Sequence, residues 1–508
     1  MPFNSIFAWI IKKRIHQIDL FKKYPIDVQW ETFDKLIQSG RLTVYGQNHQ
    51  FQTISSFNDF KRIPLQEYDD VKVWIDKSIK GEQNVLWPEE IKYFAKSSGT
   101  TSERSKIIPV TNEALEECHQ KGGKDLLALY YANFPNGKLY KGKHLVIGGS
   151  AETNTLSHDS YLGDLSAIIM KTLPWWAEIK RTPNREIALM NEWESKIDKI
   201  ARHTINEDVC ILVGVPSWTM VLANKVLEIT GKKTLKEVWP NLELFMHGGV
   251  SFEPYKHEFK KLVGFPEINY VESYNASEGF FGIQDQINSN DLLLMLDYGI
   301  FYEFIPMDSF EGVNSKVVYD LSQVELGVNY ALVITTNGGL WRYIIGDTIK
   351  FTSLSPFRFK ITGRTKSFIN AFGEELIVDN TEIAIAKVCS RLNAQIRDYT
   401  ACPLFMKEKE TGAHQWLIEF IIAPQSIVEF RDELDNELRS LNSDYDAKRY
   451  NNMVLGPLQI CVLEAGIFDK WLKSKGKLGG QNKVPRLSNS RTIYEDVLAI
   501  QIGGHNKD

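Results

Sequence analysis

The sequence predicts an α/β fold: a large N-terminal domain of mixed sheets and helices, followed by a small α+β domain at the C-terminus. Strand-like apolar runs alternate with helical patterns through most of the first 350 residues, which is typical of largely parallel sheets. After about residue 290 the runs are joined by turn signals such as Asn337-Gly338-Gly339, which favours hairpins. A shorter series of helical and strand-like patterns begins beyond Gly363-Arg364. We therefore place a domain boundary near Lys366, with domains at 1–365 and 366–508.

The first predicted element is an amphipathic helix. Its apolar residues recur at helical spacing from Phe3 to Phe21, and Pro25 ends the pattern. The apolar run is too short for a secretory signal, and the charges of Lys12-Lys13-Arg14 follow it instead of preceding it. Because the polar face is basic, a helix lying on a membrane surface is an alternative. We favour a helix docked on the protein itself, since most amphipathic stripes bury against their own core.

Strands and helices alternate in the middle of the chain. The strands predicted from short apolar runs are 144–149, 209–214, 242–249 and 270–274. Between the first two, residues 185–204 place apolar side chains on one helical face. After the second strand, Pro216 opens a helix that Gly231 can close.

Hairpins and a smaller unit complete the predicted series. The expected hairpin strands are 292–296, 301–305 and 331–335. In the small domain the expected helices are near 380–391 and 426–441, and the expected strands are near 416–422 and 455–463.

Composition narrows the class of protein. The 508 residues carry a formal net charge of −5, with 43% hydrophobic and 24% charged residues, close to an average globular chain. This composition excludes disorder, collagen and coiled coil as descriptions of the whole chain. The negative net charge gives the chain no overall attraction for nucleic acid or anionic lipid. No stretch reaches the roughly 18 apolar residues of a transmembrane helix. Five scattered cysteines without a CxxC pair argue against a disulfide framework or structural zinc site, and indicate a reducing cytoplasm.

Three segments carry chemistry, and the first spans residues 97–106, Ser-Ser-Gly-Thr-Thr-Ser-Glu-Arg-Ser-Lys. Its hydroxyls and backbone N–H groups can wrap an anion, while Lys106 supplies a point charge. A Walker loop is excluded, because it would need a second glycine immediately before the lysine. Phosphate binding and a flexible surface loop fit this segment equally well when it is taken alone.

The other two segments each hold an acidic residue. Tyr274-Asn275-Ala276-Ser277-Glu278-Gly279 follows a strand, where ligands of α/β sheets bind. Glu278 suits Mg²⁺ beside phosphates, because a hard cation prefers oxygen ligands, but spacing alone favours a turn with a solvated glutamate. Trp341-Arg342-Tyr343-Ile344-Ile345-Gly346-Asp347 places Asp347 at a strand edge, where a carboxylate can accept both ribose hydroxyls. Taken alone, Gly-Asp is only a turn signal.

Together the three segments resemble the acyl acid–amido synthetases known from plant auxin and jasmonate conjugation, the auxin-responsive promoter family. That family's pattern is a Ser-Ser-Gly-Thr loop, then Tyr-x-x-Ser-Glu-Gly, then an aromatic-Arg-Tyr-x-x-Gly-Asp, and all three are intact here. Gly363-Arg364-Thr365-Lys366 is similar to the hinge of the wider adenylate-forming superfamily of luciferases and acyl-CoA synthetases. The resemblance covers nearly the whole chain, and we expect a bacterial member of the family.

The resemblance implies a role for each matching position of the large domain. Glu278 would serve the metal and the phosphates, with catalytic importance, and Asp347 would hold the ribose hydroxyls with help from Arg364. The loop His247-Gly248-Gly249-Val250 is similar to the strand-end loop that borders adenine. The positions so assigned to ATP are Ser97, Ser98, Gly99, Thr100, Thr101, Lys106, Gly248, Gly249, Tyr274, Ser277, Glu278, Asp347 and Arg364.

In the small domain the resemblance makes Lys366 the hinge and Lys483 the catalytic lysine that approaches the phosphates on domain closure. Neighbouring lysines, namely Lys473, Lys475 and Lys477, are alternatives to Lys483. Residues 469–491 contain seven basic residues and one acidic residue, which fits a lid over a polyphosphate, with a solvated basic face as the alternative.

The acyl pocket should be apolar with a few polar anchors. The candidates for its wall are Trp175, Trp176 and Trp218. Aromatic residues at this density are more often part of the ordinary core, and that alternative stays open.

These assignments predict a two-step ligase that uses ATP and Mg²⁺. A carboxylic acid is converted to an acyl-adenylate with release of pyrophosphate, and an amine, expected to be an amino acid, then displaces AMP. An acyl-CoA ligase shares the first half-reaction and is the first alternative, and a nucleotide-binding regulator without turnover is the second. We expect small-molecule acid and amino acid substrates, no nucleic-acid partner, a monomer or weak dimer, and a cytoplasmic location.

Overall fold

The computed structural model shows an α/β protein arranged around one large mixed sheet, as predicted. It describes residues 2–97, 106–149, 154–155, 160–250, 252–287, 289–365, 368–406, 410–475 and 484–505. Several positions predicted for the phosphate loop, the hinge and the C-terminal lysine lie outside the described residues: Ser98, Gly99, Thr100, Thr101, Lys366 and Lys483.

The N-terminal part is mainly helical. Its helices are α1 (Pro2–Lys23), α2 (Pro25–Gly40), α3 (Val44–Asn48), α4 (Phe57–Phe60), α5 (Tyr68–Ile79), α6 (Asn112–Ala114) and α7 (Lys121–Asn133), with a π-helical turn at Leu115–Gln120. Its strands are β1 (Tyr93–Ser97), β2 (Lys106–Val110) and β3 (Lys143–Val146). Pro25 ends the first helical pattern as expected, and it opens α2, because a helix start does not need the N–H that proline lacks.

Helix α1 is docked on the protein, as favoured by the sequence. Ile18 and Phe21 are buried in the main core. Arg14 joins two carboxylates, with Nε 2.7 Å from Asp125 Oδ1 and Nη1 2.7 Å from Asp297 Oδ2. Among the helices in the described ranges, none combines the length and apolar character needed to cross a lipid bilayer.

The middle of the chain alternates strands with helices. Its strands are β4 (Asn154–Thr155), β5 (Tyr161–Gly163), β6 (Arg181–Thr182), β7 (Val209–Gly214), β8 (Leu244–Gly248) and β9 (Asn269–Ala276). Its helices are α8 (Leu165–Thr172), α9 (Trp175–Lys180), α10 (Arg185–Ala188), α11 (Trp193–Thr204), α12 (Pro216–Thr230), α13 (Leu235–Val238) and α14 (Glu253–Val263). The single helix predicted over 185–204 is two, because the Glu192 side chain accepts hydrogen bonds from the N–H groups of Glu194 and Ser195 and so caps a new helix.

Hairpin strands complete the large sheet. They are β10 (Gly279–Ile283), β11 (Leu292–Leu294), β12 (Ile300–Pro306), β13 (Asn329–Thr336), β14 (Tyr343–Leu354) and β15 (Phe357–Arg364). The eleven-stranded order is β12-β13-β14-β15-β11-β10-β9-β8-β7-β3-β6. Neighbours from β9 to β6 pair in parallel, and the others pair antiparallel. The expectation of largely parallel sheets therefore holds for one half of the sheet, and the hairpins form the other.

A smaller sheet and the C-terminal unit flank the large one. The four-stranded sheet has the order β2-β1-β5-β4. The C-terminal elements are β16 (Phe368–Ile369), β17 (Leu376–Ile377), α15 (Val378–Leu392), β18 (Gln395–Leu404), β19 (Ala413–Ile422), α16 (Ile427–Leu441), α17 (Ser443–Arg449), β20 (Gln459–Leu463), α18 (Ile467–Ser474) and α19 (Thr492–His505). Both helices and both strands expected there are present. The strands belong to a sheet of order β18-β19-β20.

The C-terminal unit packs on the parallel half of the large sheet. One hydrophobic cluster runs from helix α14 into the unit, where Phe372 and Trp416 are fully buried. Two hydrogen bonds cross the same contact: Tyr255 Oη donates to the Ala371 carbonyl at 2.5 Å, and Ser217 Oγ donates to the Phe372 carbonyl at 3.2 Å. The segment 370–372 is therefore held against the large domain.

Two buried histidines predict sensitivity to acid. Burial lowers the pKa of His119 to about 4 and, with help from Lys256, that of His247 to about 3. An unfolded chain binds these protons near pH 6.5, so it binds more protons than the folded chain below that pH, and stability falls as pH decreases. Between pH 7.5 and pH 5.0 we expect a loss of about 2 kcal/mol for each histidine.

Urea unfolding at the two pH values measures this loss. The variant His119→Gln should remove about 2 kcal/mol from the difference in unfolding free energy between pH 7.5 and pH 5.0. A variant with the same pH dependence as the parent would show that His119 is not a source of the acid sensitivity.

Candidate active site

The second and third segments both belong to interior strands of the large sheet, and their side chains meet. Tyr274 lies in β9, and Glu278 belongs to the turn that joins β9 to β10. This segment, expected as a loop after a strand, is a hairpin, because Gly279 resumes the ladder opposite Ala276. Asp347 lies in β14, directly opposite Arg364 at the end of β15. Asp347 and Arg364 therefore come from adjacent strands, and Tyr274 reaches them from β9, which β11 and β10 separate from β15 in the strand order.

Asp347 is the centre of a hydrogen-bonded group. The Tyr274 hydroxyl donates to its Oδ2, and Arg364 Nε donates to its Oδ1 at 2.8 Å. Burial raises the pKa of Tyr274 well above its ordinary value, and Asp347 raises it further, so the phenol stays protonated and donates. Arg364 also lies beside Glu375, with Nη1 3.4 Å from Oε2. Burial would lower the pKa of Arg364, but Glu375 and Asp347 raise it, so the guanidinium stays charged.

Lys106 and Glu278 line the same cavity, and each influences the pKa of the other. Lys106 is buried, with Nζ donating to the Tyr343 hydroxyl at 3.3 Å. Burial lowers the pKa of Lys106, and Glu278 is the largest influence that opposes this shift. Burial likewise raises the pKa of Glu278, and Lys106 opposes that. Each group therefore favours the charged form of the other.

The end of β8 supplies the Gly-Gly loop predicted to border adenine. Any Cβ at Gly248 would lie 2.4 Å from the Ser273 carbonyl oxygen, and Gly249 has φ +81°, so both positions require glycine. Phe252 stands beside the rings of His247 and Tyr270, with ring centroids 4.3 Å and 5.0 Å away. Within the described residues, His247 Nδ1 and Tyr270 Oη are buried without a hydrogen-bond partner. His247, Phe252 and Tyr270 all lie on the wall of the cavity described next.

These groups line one cavity of about 1390 Å³ between the large domain and the C-terminal unit. Pockets for a single small ligand are usually about 300–1,000 Å³, so this cavity has room for more than one. Predicted residues on its wall are Lys106, Gly249, Tyr274, Ser277, Glu278, Asp347 and Arg364. The C-terminal unit contributes Asn370, Phe405 and Asn489 among others. Ser97 ends β1.

The three tryptophans proposed for the acyl pocket lie elsewhere than on this cavity wall. Trp175, on the short helix α9, is 72% exposed. Trp218, on α12, is buried and stacks on Trp193 with ring centroids 4.0 Å apart. Trp176 is partly buried on α9. Their role in substrate binding stays a prediction.

The basic residues near the C-terminus are partly neutralised. Lys475 Nζ lies 2.7 Å from Asp496, Arg486 Nε lies 3.0 Å from Glu382, and Arg491 Nε lies 3.3 Å from Glu495. These pairings lie within the C-terminal unit. For these three residues, the ion pairs favour the solvated basic face over a lid that binds a polyphosphate.

The sequence analysis left two contributing residues without a role. Tyr343 stands inside the third segment and accepts the Lys106 hydrogen bond. Glu375 lines the cavity and contacts Arg364. For Tyr343, its position inside a recognised segment was the available signal, whereas no local pattern marks Glu375.

One carboxylate is suitably placed for a cation beside phosphates. In the part of the chain that the structure describes, no group of three or more His, Cys, Asp or Glu side chains could hold a metal ion. Magnesium at nucleotide sites commonly needs only one or two carboxylates, since phosphate and water oxygens complete its shell. Glu278, which lies on the cavity wall, is the carboxylate predicted for this role.

Comparisons with known proteins agree with this architecture. Three family models match in series: the GH3 family N-terminal domain over residues 14–268, the central domain over 293–364 and the C-terminal domain over 379–492. An Arabidopsis thaliana indole-3-acetic acid-amido synthetase, GH3.4, is 24% identical, covering 97% of this chain and 94% of the relative. The 4-substituted benzoates-glutamate ligase GH3.12 of the same organism is 23% identical, covering 91% and 93%.

A solved structure has the same fold. It is the acyl acid amido synthetase AtGH3.15 in complex with 2,4-DB, with a TM-score of 0.60 and 18% identity. The likeness covers 93% of each chain.

Proposed function

The chain belongs to the GH3 family, and from that membership we propose that it is an acyl acid–amido synthetase, an ATP-dependent ligase that joins a carboxylic acid to an amino acid. Relatives in the family carry the names of synthetases or ligases that join an acid to an amino acid. The observation that carries the proposal is the convergence of Tyr274, Asp347 and Arg364 beside the charges of Lys106 and Glu278 in one cavity. This arrangement suits a nucleotide whose phosphates meet a cation and a metal-binding carboxylate.

In the first half-reaction, an oxygen of the acid bonds to the α-phosphorus of ATP while the bond to pyrophosphate breaks. Asp347 would accept hydrogen bonds from the ribose hydroxyls, and the wall formed by His247, Phe252 and Tyr270 would hold the base. Lys106 would face the charge that develops on the phosphates, where a fixed cation needs no reorganisation. Magnesium bound at Glu278 would neutralise phosphate charge.

In the second half-reaction, the amine nitrogen bonds to the acyl carbon, the bond to AMP breaks, and the nitrogen loses a proton. The residues outside the described ranges keep their proposed roles, with Lys366 as hinge and Lys483 as the lysine that reaches the phosphates. We place the domain boundary near residue 366 on the same basis. Closure of the small domain would exclude water, which otherwise hydrolyses the adenylate.

An amino acid suits the cavity better than coenzyme A as acceptor. A 3′-phosphorylated ADP needs unpaired positive charge for docking. Two lysines on the cavity wall are already engaged, Lys260 with Glu267 at 3.0 Å and Lys360 with Asp291 at 3.4 Å. A small amine with one carboxylate needs a single cation.

Product analysis tests this function. The purified chain, ATP and Mg²⁺ are supplied with a panel of carboxylic acids and either each amino acid or coenzyme A. We expect AMP and an N-acyl amino acid, with no acceleration of AMP formation by coenzyme A. Mass spectra that show acyl-CoA and no N-acyl amino acid would contradict the amido-synthetase function and leave adenylation standing.

A further inference from the structure

Asn275 presents a side-chain amide to the cavity from the end of β9. It is exposed and lines the cavity wall, one residue after Tyr274. Its Oδ1 lies 3.2 Å from Nδ1 of His119. Among the residues that the structure describes, none accepts a hydrogen bond from its Nδ2. One end of the amide is therefore held by the protein, and the other end is open to a ligand.

His119 determines which end of the amide faces the cavity. Burial lowers the pKa of His119 to about 4, so near neutral pH the ring is uncharged and carries one proton. Because an amide oxygen can only accept, that proton is on Nδ1, and His119 donates to Asn275 Oδ1. The amide N–H groups then point away from the histidine. Asn275 is thus a neutral hydrogen-bond donor with a fixed orientation.

The turn that carries His119 is itself attached to the hairpin of β9 and β10. It is the π-helical turn Leu115–Gln120, and such turns are frequent at functional sites. In this turn Cys118 Sγ accepts a hydrogen bond from the Phe280 N–H at 3.2 Å, and Phe280 lies opposite Asn275 in the ladder. His119 and Cys118 are both buried. These contacts hold His119 beside Asn275.

Asn275 and the group around Asp347 lie on opposite sides of the strand. Successive side chains of a strand point to opposite faces. The partners agree with this rule, because Tyr274 donates to Asp347 whereas Asn275 accepts from His119. A nucleotide whose ribose meets Asp347 would take the Tyr274 side of the strand end. The side of Asn275 is then left for the acid that must reach the α-phosphorus.

We propose that the Asn275 amide donates a hydrogen bond to the carboxylate of the acid substrate, and that His119 is its positioning residue. This assignment rests on the proposed synthetase function. A neutral donor orients a carboxylate without the charge compensation that a lysine or arginine would give, so the attacking oxygen keeps more of its nucleophilic character. A carboxylate held in one orientation beside the α-phosphorus also has less freedom to lose in the transition state.

The test measures acid-dependent ATP–pyrophosphate exchange, which reports the first half-reaction alone, with an acid accepted in the product analysis. Asn275→Ala should raise the KM for the acid roughly ten- to a hundredfold, as expected for a hydrogen bond to a charged group, and leave the KM for ATP unchanged. Asn275→Asp keeps the shape and the hydrogen bond from His119 but replaces the donor with a negative charge. It should therefore raise the KM for the acid further than alanine does, whereas a role in packing alone predicts the reverse order.

Variants of His119 test its positioning role. His119→Leu should raise the KM for the acid, because the amide is then free to turn. His119→Asn keeps a donor near the position of Nδ1 and should recover part of the affinity. Gln286→Ala is the matched control, because it removes an exposed amide from the same cavity wall beyond the end of β10, and it should behave as the parent.

Three results would overturn the assignment while the synthetase function stands. They are an acid KM within twofold of the parent in Asn275→Ala, an equal rise in the KM for ATP, and a smaller effect of aspartate than of alanine. A parent protein that exchanges pyrophosphate with no acid of the panel would overturn both. The exchange assay contains no acceptor, so a failure of amide formation is distinguishable from a failure of this assignment.

Discussion

Replacing Asp347 with alanine is expected to weaken ATP binding by about 3 kcal/mol, more than a hundredfold in the dissociation constant. The Asp347 carboxylate already accepts from Tyr274 and Arg364, and each of its oxygens keeps a lone pair for a ribose hydroxyl. Two hydrogen bonds to a charged acceptor contribute about 1.5–3 kcal/mol each, so their joint loss is large even after partial relaxation. Isothermal titration calorimetry with ATP measures the change.

Tyr274→Phe is the matched control for this prediction. It removes one hydrogen bond to Asp347 and leaves the carboxylate in place, so affinity should fall by about 1 kcal/mol or less. Asp347→Ala protein that is folded by circular dichroism and binds ATP as the parent does would remove the ribose role from Asp347.

The largest expected effect on stability comes from Arg342→Met. Arg342 and Glu303 are both buried, with Nη2 2.8 Å from Oε1, and Arg342 also donates to the carbonyl of Lys61 at 3.0 Å. Removing the arginine leaves Glu303 as an unpaired buried charge, which typically costs about 3–5 kcal/mol. The free energy of unfolding in guanidinium chloride should fall by that amount.

A double variant separates the ion pair from simple loss of packing. In Arg342→Met with Glu303→Met no charge remains buried, so most of the lost stability should return. If the double variant is less stable than Arg342→Met alone, the unpaired charge is not the source of the cost.

Arg342 also shows what a sequence pattern conveys and what it leaves out. The third segment was recognised as a unit, but its members serve different ends. Trp341 is fully buried and its indole N–H donates to the Leu86 carbonyl at 3.2 Å, and Arg342 binds Glu303. Only Asp347, at the far end, faces the cavity with a charged group. The spacing of residues in a segment cannot distinguish a buried structural side chain from one that faces the cavity. Both are determined by partners that are distant in the sequence.

Strand positions were predicted better than strand partners. The apolar runs at 209–214 and 242–249 contain β7 and β8, since a buried parallel strand is apolar on both faces. Strand β18 was missed, because it carries Arg397, Asp398 and Pro403, which weaken an apolar run. The pairing of Asp347 with Arg364 depends on the register of β14 and β15, which includes two irregularities that no local pattern marks.

Glu278 also shows that a local sequence pattern does not reveal partners that are distant in the chain. Spacing alone favoured a turn with a solvated glutamate over a binding group. The opposing charge, Lys106, comes from another sheet and more than 150 residues away in the chain. Only the fold brings the two together, and the recognised family pattern was the sole guide to their association.

Arg364 ends β15, which is the last strand of the large sheet in chain order. The C-terminal unit follows it in the sequence. Its guanidinium contacts Asp347 on one side and Glu375 on the other, while the Thr365 N–H donates to the Gly346 carbonyl at 2.8 Å. Rotation of that unit away from the sheet would take one of the two carboxylates from Arg364. An anionic nucleotide beside Asp347 would then compensate the cation more strongly. By thermodynamic reciprocity, a nucleotide bound there would favour the rotated arrangement to the same extent, so nucleotide release and the return of the unit would be linked equilibria.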